Sequence, residues 1–410
     1  MTAAPLTAHA HRLILGLSIA QLISWGSVFY GFALFMAPVE QSLGIGRAQS
    51  SVAFSLALLV EGLAAFAVGR WIDQGRERRV MTAGSLMLGA GLLLQGTAQS
   101  LVGFYAVWAL LGLGLAATLY MPAFAVVTRR YPAHFRRAII TITFLGGLAS
   151  TVFIPLTDAL IRGLGWREAS WALAALHLLV CAPLHAGLLR RAPGTDDPGA
   201  LRAESSTAGG QALAAQLRSP VFRLLGAFTV LMMAVTAALP PHLVSLLRES
   251  GLPPAWAIAL PASIGVLQVL GRLVLYVGEW RLDVHATNRW APTLVPLALA
   301  ALLLTPAAAL GALLFVGLYG IGNGMLTIVK GTVMAQYVSA RHVGALNGAL
   351  GLPLALARAA APLAVGLLWS PAHGYTLALV ALLGLSVLGT MALWWAQALA
   401  ERAGAEKSRD

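Results

Sequence analysis

Long apolar runs that alternate with basic gaps constrain this chain more than any other feature of its sequence. Each run has about the 20 residues that a helix needs to cross a bilayer. Arginines cluster in every second gap, for example at Arg76, Arg129 and Arg190, while the gaps between hold few. Because cytoplasmic loops retain Lys and Arg, the alternation predicts a multi-pass protein of the cell inner (plasma) membrane with both termini cytoplasmic.

The runs predict an all-α fold of twelve transmembrane helices. We place these spans at residues 13–38, 49–69, 80–99, 102–128, 138–161, 169–189, 221–247, 255–277, 289–306, 310–337, 344–369 and 374–399. One long polar gap, rich in Gly, Pro, Ser and charge, separates the sixth span from the seventh. The predicted organisation is therefore a six-helix bundle (1–189), a cytoplasmic linker (190–220), a second six-helix bundle (221–400) and a cytoplasmic tail (401–410).

The two predicted bundles repeat each other weakly at an offset of 208 residues. Gly112 and Gly114 in span four match Gly320 and Gly322 in span ten, and His134 matches His342. Transporters made of parallel repeats show such weak internal similarity, with the substrate site near the membrane midplane. The repeat predicts two pseudo-symmetric bundles.

Composition excludes several other classes of protein. Hydrophobic residues make up 59% of the chain and charged residues 10%, against about 25% charged in soluble proteins. The net charge of +12 lies mostly in the inward gaps, where anionic lipid rather than nucleic acid is the expected neighbour.

The single cysteine, Cys181, excludes an internal disulfide. The first apolar run is too long for a signal peptide and is expected to be a retained helix.

The gap between spans two and three carries a recognisable pattern, Gly69 and Asp73 followed by Gly75 and the basic Arg76. This pattern resembles the loop signature of the major facilitator superfamily; Gly75 and Arg76 match it if the loop is one residue short after Asp73. The resemblance implies alternating access between two bundles, with spans one, four, seven and ten around the substrate. It also implies a gating loop in which Gly69 permits a tight helix contact and Asp73 meets a neighbouring helix end or arginine.

Several positions differ from the family's motifs, and these differences disfavour proton-driven drug efflux as the expected activity. Leu275 stands where a second copy of Asp73 would align, and Trp108 stands where drug antiporters usually carry an arginine in span four. Short passages at 25–30, 165–167 and 242–243 resemble the bacterial monocarboxylate and oxalate:formate porter branch instead. Efflux of a toxic or hydrophobic compound remains the alternative, and a non-transporting membrane sensor on the same fold is the second alternative.

Three ionisable residues lie well inside predicted spans: Glu61, Lys330 and Arg358. Each costs about 2.5 to 3.5 kcal/mol at the centre of a span, so such side chains face a cavity or a partner. Asn323 and Thr327 lie seven and three residues before Lys330 and share its helix face. A polar stripe that ends in an ammonium group predicts that the substrate is a small organic anion.

Other polar groups complete the predicted site. Gln21, Trp25 and Phe32 recur at helical spacing in span one and could form a wall of the substrate site, with Tyr30 and Tyr120 as hydrogen-bond donors. At the position equivalent to Lys330, span four has Pro122, which should bend the helix and free a carbonyl near Thr118. We expect Glu61 to couple transport to protons, because a nearby cation and desolvation shift a buried carboxyl in opposite directions; a static ion pair is the alternative.

Span six contains His177, Cys181 and His185 at intervals of four residues. This spacing places them on one side of a helix, where they could bind a soft metal ion. Span six is an outer helix in the family's fold, so we expect no metal there and no cofactor. Motifs for ATP hydrolysis or intramembrane proteolysis are missing, and an enzyme is not expected. The predicted partners are an organic anion, protons and the lipid bilayer, and the protein is expected to act as a monomer.

Overall fold

The computed structural model describes residues 8–131, 134–190, 214–277, 283–305, 308–339 and 342–407, and α-helix dominates these ranges. In the first half the α-helices are Ala8–Ser24, Phe32–Leu43, Arg47–Trp71, Glu77–Thr97, Leu101–Thr118, Tyr120–Arg130, Phe135–Gly147, Ala149–Leu164, Trp166–Leu176 and Ala182–Leu188. In the second half they are Pro220–Glu249, Pro254–Val277, Val284–Trp290, Leu294–Leu304, Ala308–Tyr337, Val343–Ala349, Gly351–Leu368 and Thr376–Lys407. Most of the predicted linker lies outside the described residues.

Ten helical stretches in the described ranges are long and apolar enough to cross a membrane. One of them, 51 residues long, is Arg47–Thr97, which contains predicted span two and predicted span three up to residue 97. It turns at Gly75, whose φ of 76° is in the left-handed region that glycine adopts without strain. Predicted span nine is divided between Val284–Trp290, a short 3₁₀ turn and Leu294–Leu304. The all-α membrane fold is confirmed, and the count of twelve crossings stays a prediction.

Two spans contain a wide helical turn of the π type. One covers Trp25–Tyr30 in span one and the other covers His177–Cys181 in span six. The two turns meet, because Ser27 Oγ and His177 Nε2 are 2.7 Å apart inside the bundle. A π turn holds one more residue than an α turn, so it changes which side chains share a face beyond it.

Span four is broken at its middle. The helix Leu101–Thr118 ends where Leu119 takes an extended conformation, and the next helix begins at Tyr120. Pro122 has no backbone N–H and therefore cannot donate to the carbonyl four residues earlier, that of Thr118. The predicted bend and the predicted free carbonyl are both present.

The internal repeat has a structural counterpart in helix packing. A side chain on Gly112 would collide with Ala57 of span two, and one on Gly114 would collide with Leu88 of span three. At the equivalent positions, Gly320 packs against Leu267 of span eight and Gly322 against Leu294 of span nine. The two Gly-x-Gly pairs thus make equivalent close contacts in the two halves, as pseudo-symmetry requires.

Contacts divide the chain into two compact units that do not coincide with the two sequence halves. The first unit contains 1–195 together with 238–266 and 359–374; the second contains 196–237, 267–358 and 375–410. Consequently one end of spans seven, eight and eleven packs with the first six spans, while the rest of these spans packs within the second unit.

Candidate functional site

A polar stripe in the second unit contains three of the predicted site residues. Asn323, Thr327 and Lys330 lie on one face of Ala308–Tyr337 and are half-buried or exposed. Val329 and Val333, about a quarter-turn around the helix, are buried in the core of the unit. The Thr327 hydroxyl donates to the Asn323 carbonyl at 2.9 Å. Packing therefore leaves the polar face available to a ligand.

Arg358 lies in the same unit as Lys330, on Gly351–Leu368. Both side chains are half-buried, and their positive charges repel each other. Among the residues that the structure describes, Lys330 forms no ion pair with a carboxylate. Repulsion between two cations in a poorly solvated place is relieved when an anion binds. This part of the second unit is chemically suited to an anion.

In the first unit, Gln21 meets the break in span four. Its Nε2 donates to the Thr118 carbonyl at 2.5 Å, so the carbonyl released by Pro122 is satisfied by a side chain. This bond fixes the amide orientation and leaves Gln21 Oε1 as an acceptor. The Oε1 atom is buried and has no hydrogen-bond partner in the described part of the chain. A buried unpaired acceptor costs about 1 to 3 kcal/mol, and Gln21 is fully buried, so a donor that reached this atom after a rearrangement would stabilise it.

Trp25 and Tyr120 lie next to this bond. Their ring centroids are 5.2 Å apart, and Tyr120 also stacks on Phe124 at 5.4 Å. Gly146 makes room for the ring, since a Cβ there would collide with the Tyr120 hydroxyl. Spans one and four are therefore in contact through two pairs of residues, Gln21–Thr118 and Trp25–Tyr120. These residues were singled out from the sequence.

The expectation that Phe32 shares the face of Gln21 and Trp25 was wrong. Phe32 is 1% exposed and packs on Phe54 and Trp108, with ring centroids 4.7 and 4.8 Å away. The π turn at Trp25–Tyr30 inserts an extra residue before Phe32, so the seven-residue spacing no longer returns to the same face. Trp108 belongs to the same buried aromatic cluster.

Glu61 lies in the middle of Arg47–Trp71 and is 9% exposed. Its burial agrees with the expectation that an intramembrane carboxylate faces protein or a cavity rather than lipid. Its assignment to proton coupling stays a prediction.

The loop between spans two and three is built differently from the expectation. Asp73 and Arg76 are exposed, and Asp73 forms no ion pair within the described ranges. The carboxylate that meets arginines is Glu77, which is 3.0 Å from Arg130 and 3.6 Å from Arg129. The close helix contact expected of Gly69 is also missing, because no described atom lies within 4 Å of a Cβ built there.

Arg129 has a second partner in this loop, the Ile72 carbonyl, to which it donates. Arg130 also donates to the Leu189 carbonyl at 3.0 Å, at the end of span six. Glu77 was missed in the sequence because four charged residues follow Gly75 in succession and only the turn decides which of them points inward.

The histidines of span six are used for helix packing. His177 bonds to Ser27, and His185 Nδ1 lies 2.8 Å from Ser85 Oγ. The π turn at His177–Cys181 breaks the four-residue spacing that suggested a common face. No group of three potential metal ligands occurs in the part of the chain that the structure describes.

Comparison with known proteins places this geometry in a family. The sequence profile of the Major Facilitator Superfamily matches residues 17–362. An uncharacterized MFS-type transporter, YcxA of Bacillus subtilis (strain 168), is 23% identical over 163 residues, which cover 40% of each chain. An oxalate:formate antiporter of Oxalobacter formigenes is 27% identical over 151 residues, which cover 37% of this chain and 35% of the antiporter. The chain thus aligns with well under half of either relative.

Solved structures show the same fold over nearly the whole chain. A bacterial homologue of the human lysosomal transporter Spinster, inward-facing and unoccupied, matches with a TM-score of 0.70 and 16% identity, covering 98% of this chain and 96% of its own. The nucleoside transporter NupG matches with a TM-score of 0.72 and 14% identity, covering 95% and 99%. At these identities the likeness shows the fold alone. The matching proteins are transporters and not enzymes.

Proposed function

We propose a function for this chain, which belongs to the Major Facilitator Superfamily: it is a secondary active transporter that carries a small, monocarboxylate-like organic anion across the inner membrane. Transport proceeds by alternating access and is coupled to protons, in the manner of a symporter. The family and the fold supply the transporter assignment. The nature of the substrate and the coupling are inferred from the side chains below.

The observation that carries the anion assignment is the pair of cations in the second unit. Lys330 and Arg358 repel each other on half-buried helix faces, and a bound carboxylate would neutralise that repulsion. Asn323 and Thr327, on the same face as Lys330, add hydrogen-bonding groups for the carboxylate oxygens. A neutral or cationic substrate would leave the repulsion in place.

The first unit, taken by itself, also contains polar and aromatic groups that suit a small organic acid. Gln21 Oε1 is an acceptor without a partner among the described residues, beside the aromatic pair Trp25 and Tyr120. Such a combination accepts an apolar carbon skeleton with one donor group. The partial similarity to an oxalate:formate antiporter agrees with a carboxylate substrate.

Glu61 is the proposed proton carrier. It is a buried carboxylate in span two, and a carboxyl whose surroundings change during transport exchanges a proton as its desolvation and neighbouring charges change. Asp73 and Arg76, both exposed, are proposed to act in gating when the loop between spans two and three rearranges.

Uptake by proteoliposomes tests the substrate class and the coupling together. The purified protein is reconstituted and offered radiolabelled monocarboxylates, dicarboxylates, a nucleoside and an organic cation, with and without an inwardly directed proton gradient. The proposal predicts uptake of a monocarboxylate that the gradient increases. Uptake of the cation or the nucleoside, with no carboxylate carried, would refute the anion assignment.

Export of an anionic toxic compound is the second candidate. It uses the same cations and the same aromatic pair, since the chemistry of the site does not depend on the direction of the gradient. Net accumulation in proteoliposomes separates the two: a symporter accumulates the anion under an inwardly directed proton gradient, whereas a proton-driven exporter, an antiporter, accumulates it under an outwardly directed one.

A further inference from the structure

The π turn of span one lies between two neighbouring helices of the first compact unit. The Gly31 N–H donates to the Gly26 carbonyl at 2.9 Å, five residues earlier, which is the hydrogen bond of a π turn. On one side, span five packs directly on the backbone, since a Cβ on Gly26 would collide with the Phe153 ring. On the other side, Ser27 Oγ lies 2.7 Å from His177 Nε2 of span six. The turn is therefore contacted from both sides.

The hydrogen bond between Ser27 and His177 has a definite direction. The Ser27 hydroxyl has a single hydrogen, which it donates to the Ile23 carbonyl at 2.7 Å. His177 is therefore the donor to Ser27, and its proton is on Nε2. The other ring nitrogen, Nδ1, is buried and has no hydrogen-bond partner in the described part of the chain. Burial of this acceptor is unfavourable, and the polar contact that the ring does make is the one with the π turn.

The accessible face of span one changes its spacing at this turn. Before the turn, residues that are half-buried or exposed recur at steps of three or four, at Leu15, Ile19, Leu22 and Trp25. The next such residue is Tyr30, five positions after Trp25. Phe29, four positions after Trp25, is 5% exposed and packs on Phe54 in the aromatic core, with ring centroids 5.3 Å apart. The π turn thus places a phenol where a uniform α-helix would place a phenyl ring.

We propose that His177 is a positioning residue for the substrate site: its bond to Ser27 holds span one in the π turn. The turn places Tyr30, rather than Phe29, in line with Trp25, and Tyr30 offers its hydroxyl to the substrate carboxylate. Without the bond, the segment relaxes toward regular α-helix, because π turns are rare and need a local cause. The role of Tyr30 rests on the anion transport proposed above, whereas the holding of the turn by His177 is independent of any substrate.

Span six contains a second buried histidine that provides a matched control. His185 Nδ1 lies 2.8 Å from Ser85 Oγ of span three, and both residues are buried, as His177 and Ser27 are. Ser85 belongs to Glu77–Thr97, which is α-helical throughout. Loss of either histidine removes one buried hydrogen bond to a serine. Only loss of His177 should change which residues of span one are accessible.

Cysteine labelling at two adjacent positions reports the turn without any substrate. In a Cys181→Ala background, Phe29→Cys and Tyr30→Cys are prepared separately, and the purified proteins are reacted with N-ethylmaleimide. Position 30 should react faster than position 29. His177→Leu, which cannot donate, should lower the ratio of the two rates roughly two- to tenfold, the range expected for loss of one hydrogen bond. A general loosening of the fold would instead raise both rates together, and His185→Leu should leave the ratio unchanged.

Two further variants make the labelling result decisive. The side-chain amide of Gln can donate as His Nε2 does, so His177→Gln should keep the ratio of the background. Ser27→Ala removes the same bond from the other side and should lower the ratio; it replaces His177→Leu if size-exclusion chromatography shows that this variant does not fold. A ratio that does not fall, or that falls equally in His185→Leu, would overturn the proposal.

Uptake by proteoliposomes tests the role of Tyr30. For a monocarboxylate that the wild type carries, His177→Leu should raise KM several-fold with little change in kcat, His177→Gln should restore KM, and Tyr30→Phe should reproduce the raised KM. A lowered labelling ratio with an unchanged KM would overturn the assignment of Tyr30 to the substrate. If the wild type carries no carboxylate, the proposed function is refuted, and the labelling ratio still decides whether His177 holds the turn.

Discussion

The side chain of Gln21 in span one donates a hydrogen bond to the backbone carbonyl of Thr118 at the break in span four. This carbonyl lacks its usual helical donor because Pro122 follows four residues later. One side chain thus compensates for a proline in another helix, and the two spans meet at a point where the backbone itself is polar. Irregular backbone at membrane depth is tolerated where it is buried in protein or faces a cavity.

Replacing Gln21 with Leu should lower both the stability and the transport rate. The Thr118 carbonyl loses its partner, which costs about 1 to 3 kcal/mol, and the acceptor proposed for the substrate disappears. Gln95→Leu is the matched control, since Gln95 is equally buried and donates to Ser170 Oγ at 3.3 Å. Melting temperature and the KM for uptake are measured for both. A raised KM in the Gln95 variant as well would count against a specific role of Gln21.

Replacing Pro122 with Ala should straighten span four. The restored N–H can donate to the Thr118 carbonyl in competition with Gln21, so the melting temperature should stay the same or rise while uptake falls several-fold. Pro155→Ala, at an exposed proline inside span five, tests whether any proline in the first half has this effect. Uptake that is unchanged in the Pro122 variant would show that transport does not need the break.

Some of the site could be predicted because it depends on local covalent chemistry. Pro122 removes a backbone donor wherever it stands in a helix, so the bend and the free carbonyl followed from one residue. The position of Phe32 could not be predicted in this way. It depends on the π turn at Trp25–Tyr30, which lies where span one packs against span six through Ser27 and His177. A helical wheel drawn from sequence assumes one pitch throughout and fails beyond such a turn.

The loop between spans two and three shows a second limit. Its pattern correctly located a turn, and Gly75 has the positive φ that the turn requires. Which carboxylate then faces Arg129 and Arg130 depends on the direction in which the chain leaves the turn, and that residue is Glu77 rather than Asp73. The compact units were not predictable either, because they include ion pairs such as Arg47–Glu249 and Arg248–Asp158, whose partners are 202 and 90 positions apart in the sequence.

Glu77→Gln should lower the melting temperature more than Asp73→Asn. Removing the charge of Glu77 leaves two arginines without their shared carboxylate in a buried position, whereas Asp73 is exposed. The expected loss is about 1 to 3 kcal/mol for Glu77 and close to zero for Asp73, measured by thermal unfolding in detergent. An equal loss for both would mean that Asp73 carries a structural contact after all.

Glu61→Gln should abolish accumulation driven by a proton gradient and leave counterflow intact. The amide keeps the size of the side chain but neither takes up nor releases a net proton in this pH range, so substrate can still cross without coupling. Glu168→Gln, an exposed carboxylate in a predicted outward gap, serves as the control and should retain both activities. Accumulation that persists in the Glu61 variant would refute its role as the proton carrier.

Counterflow by variants of Lys330 shows whether the substrate is recognised as an anion, since it measures substrate recognition without a driving gradient. Proteoliposomes loaded with unlabelled monocarboxylate are diluted into its labelled form, and exchange is followed for the wild type, Lys330→Arg and Lys330→Met, with folding checked by melting temperature. Lys330→Arg, which keeps the charge beside Arg358, should retain exchange, whereas Lys330→Met, of similar length without the charge, should lose most of it through a raised KM. Exchange by Lys330→Met at the wild-type KM would contradict the claim that this chain recognises its substrate as an anion.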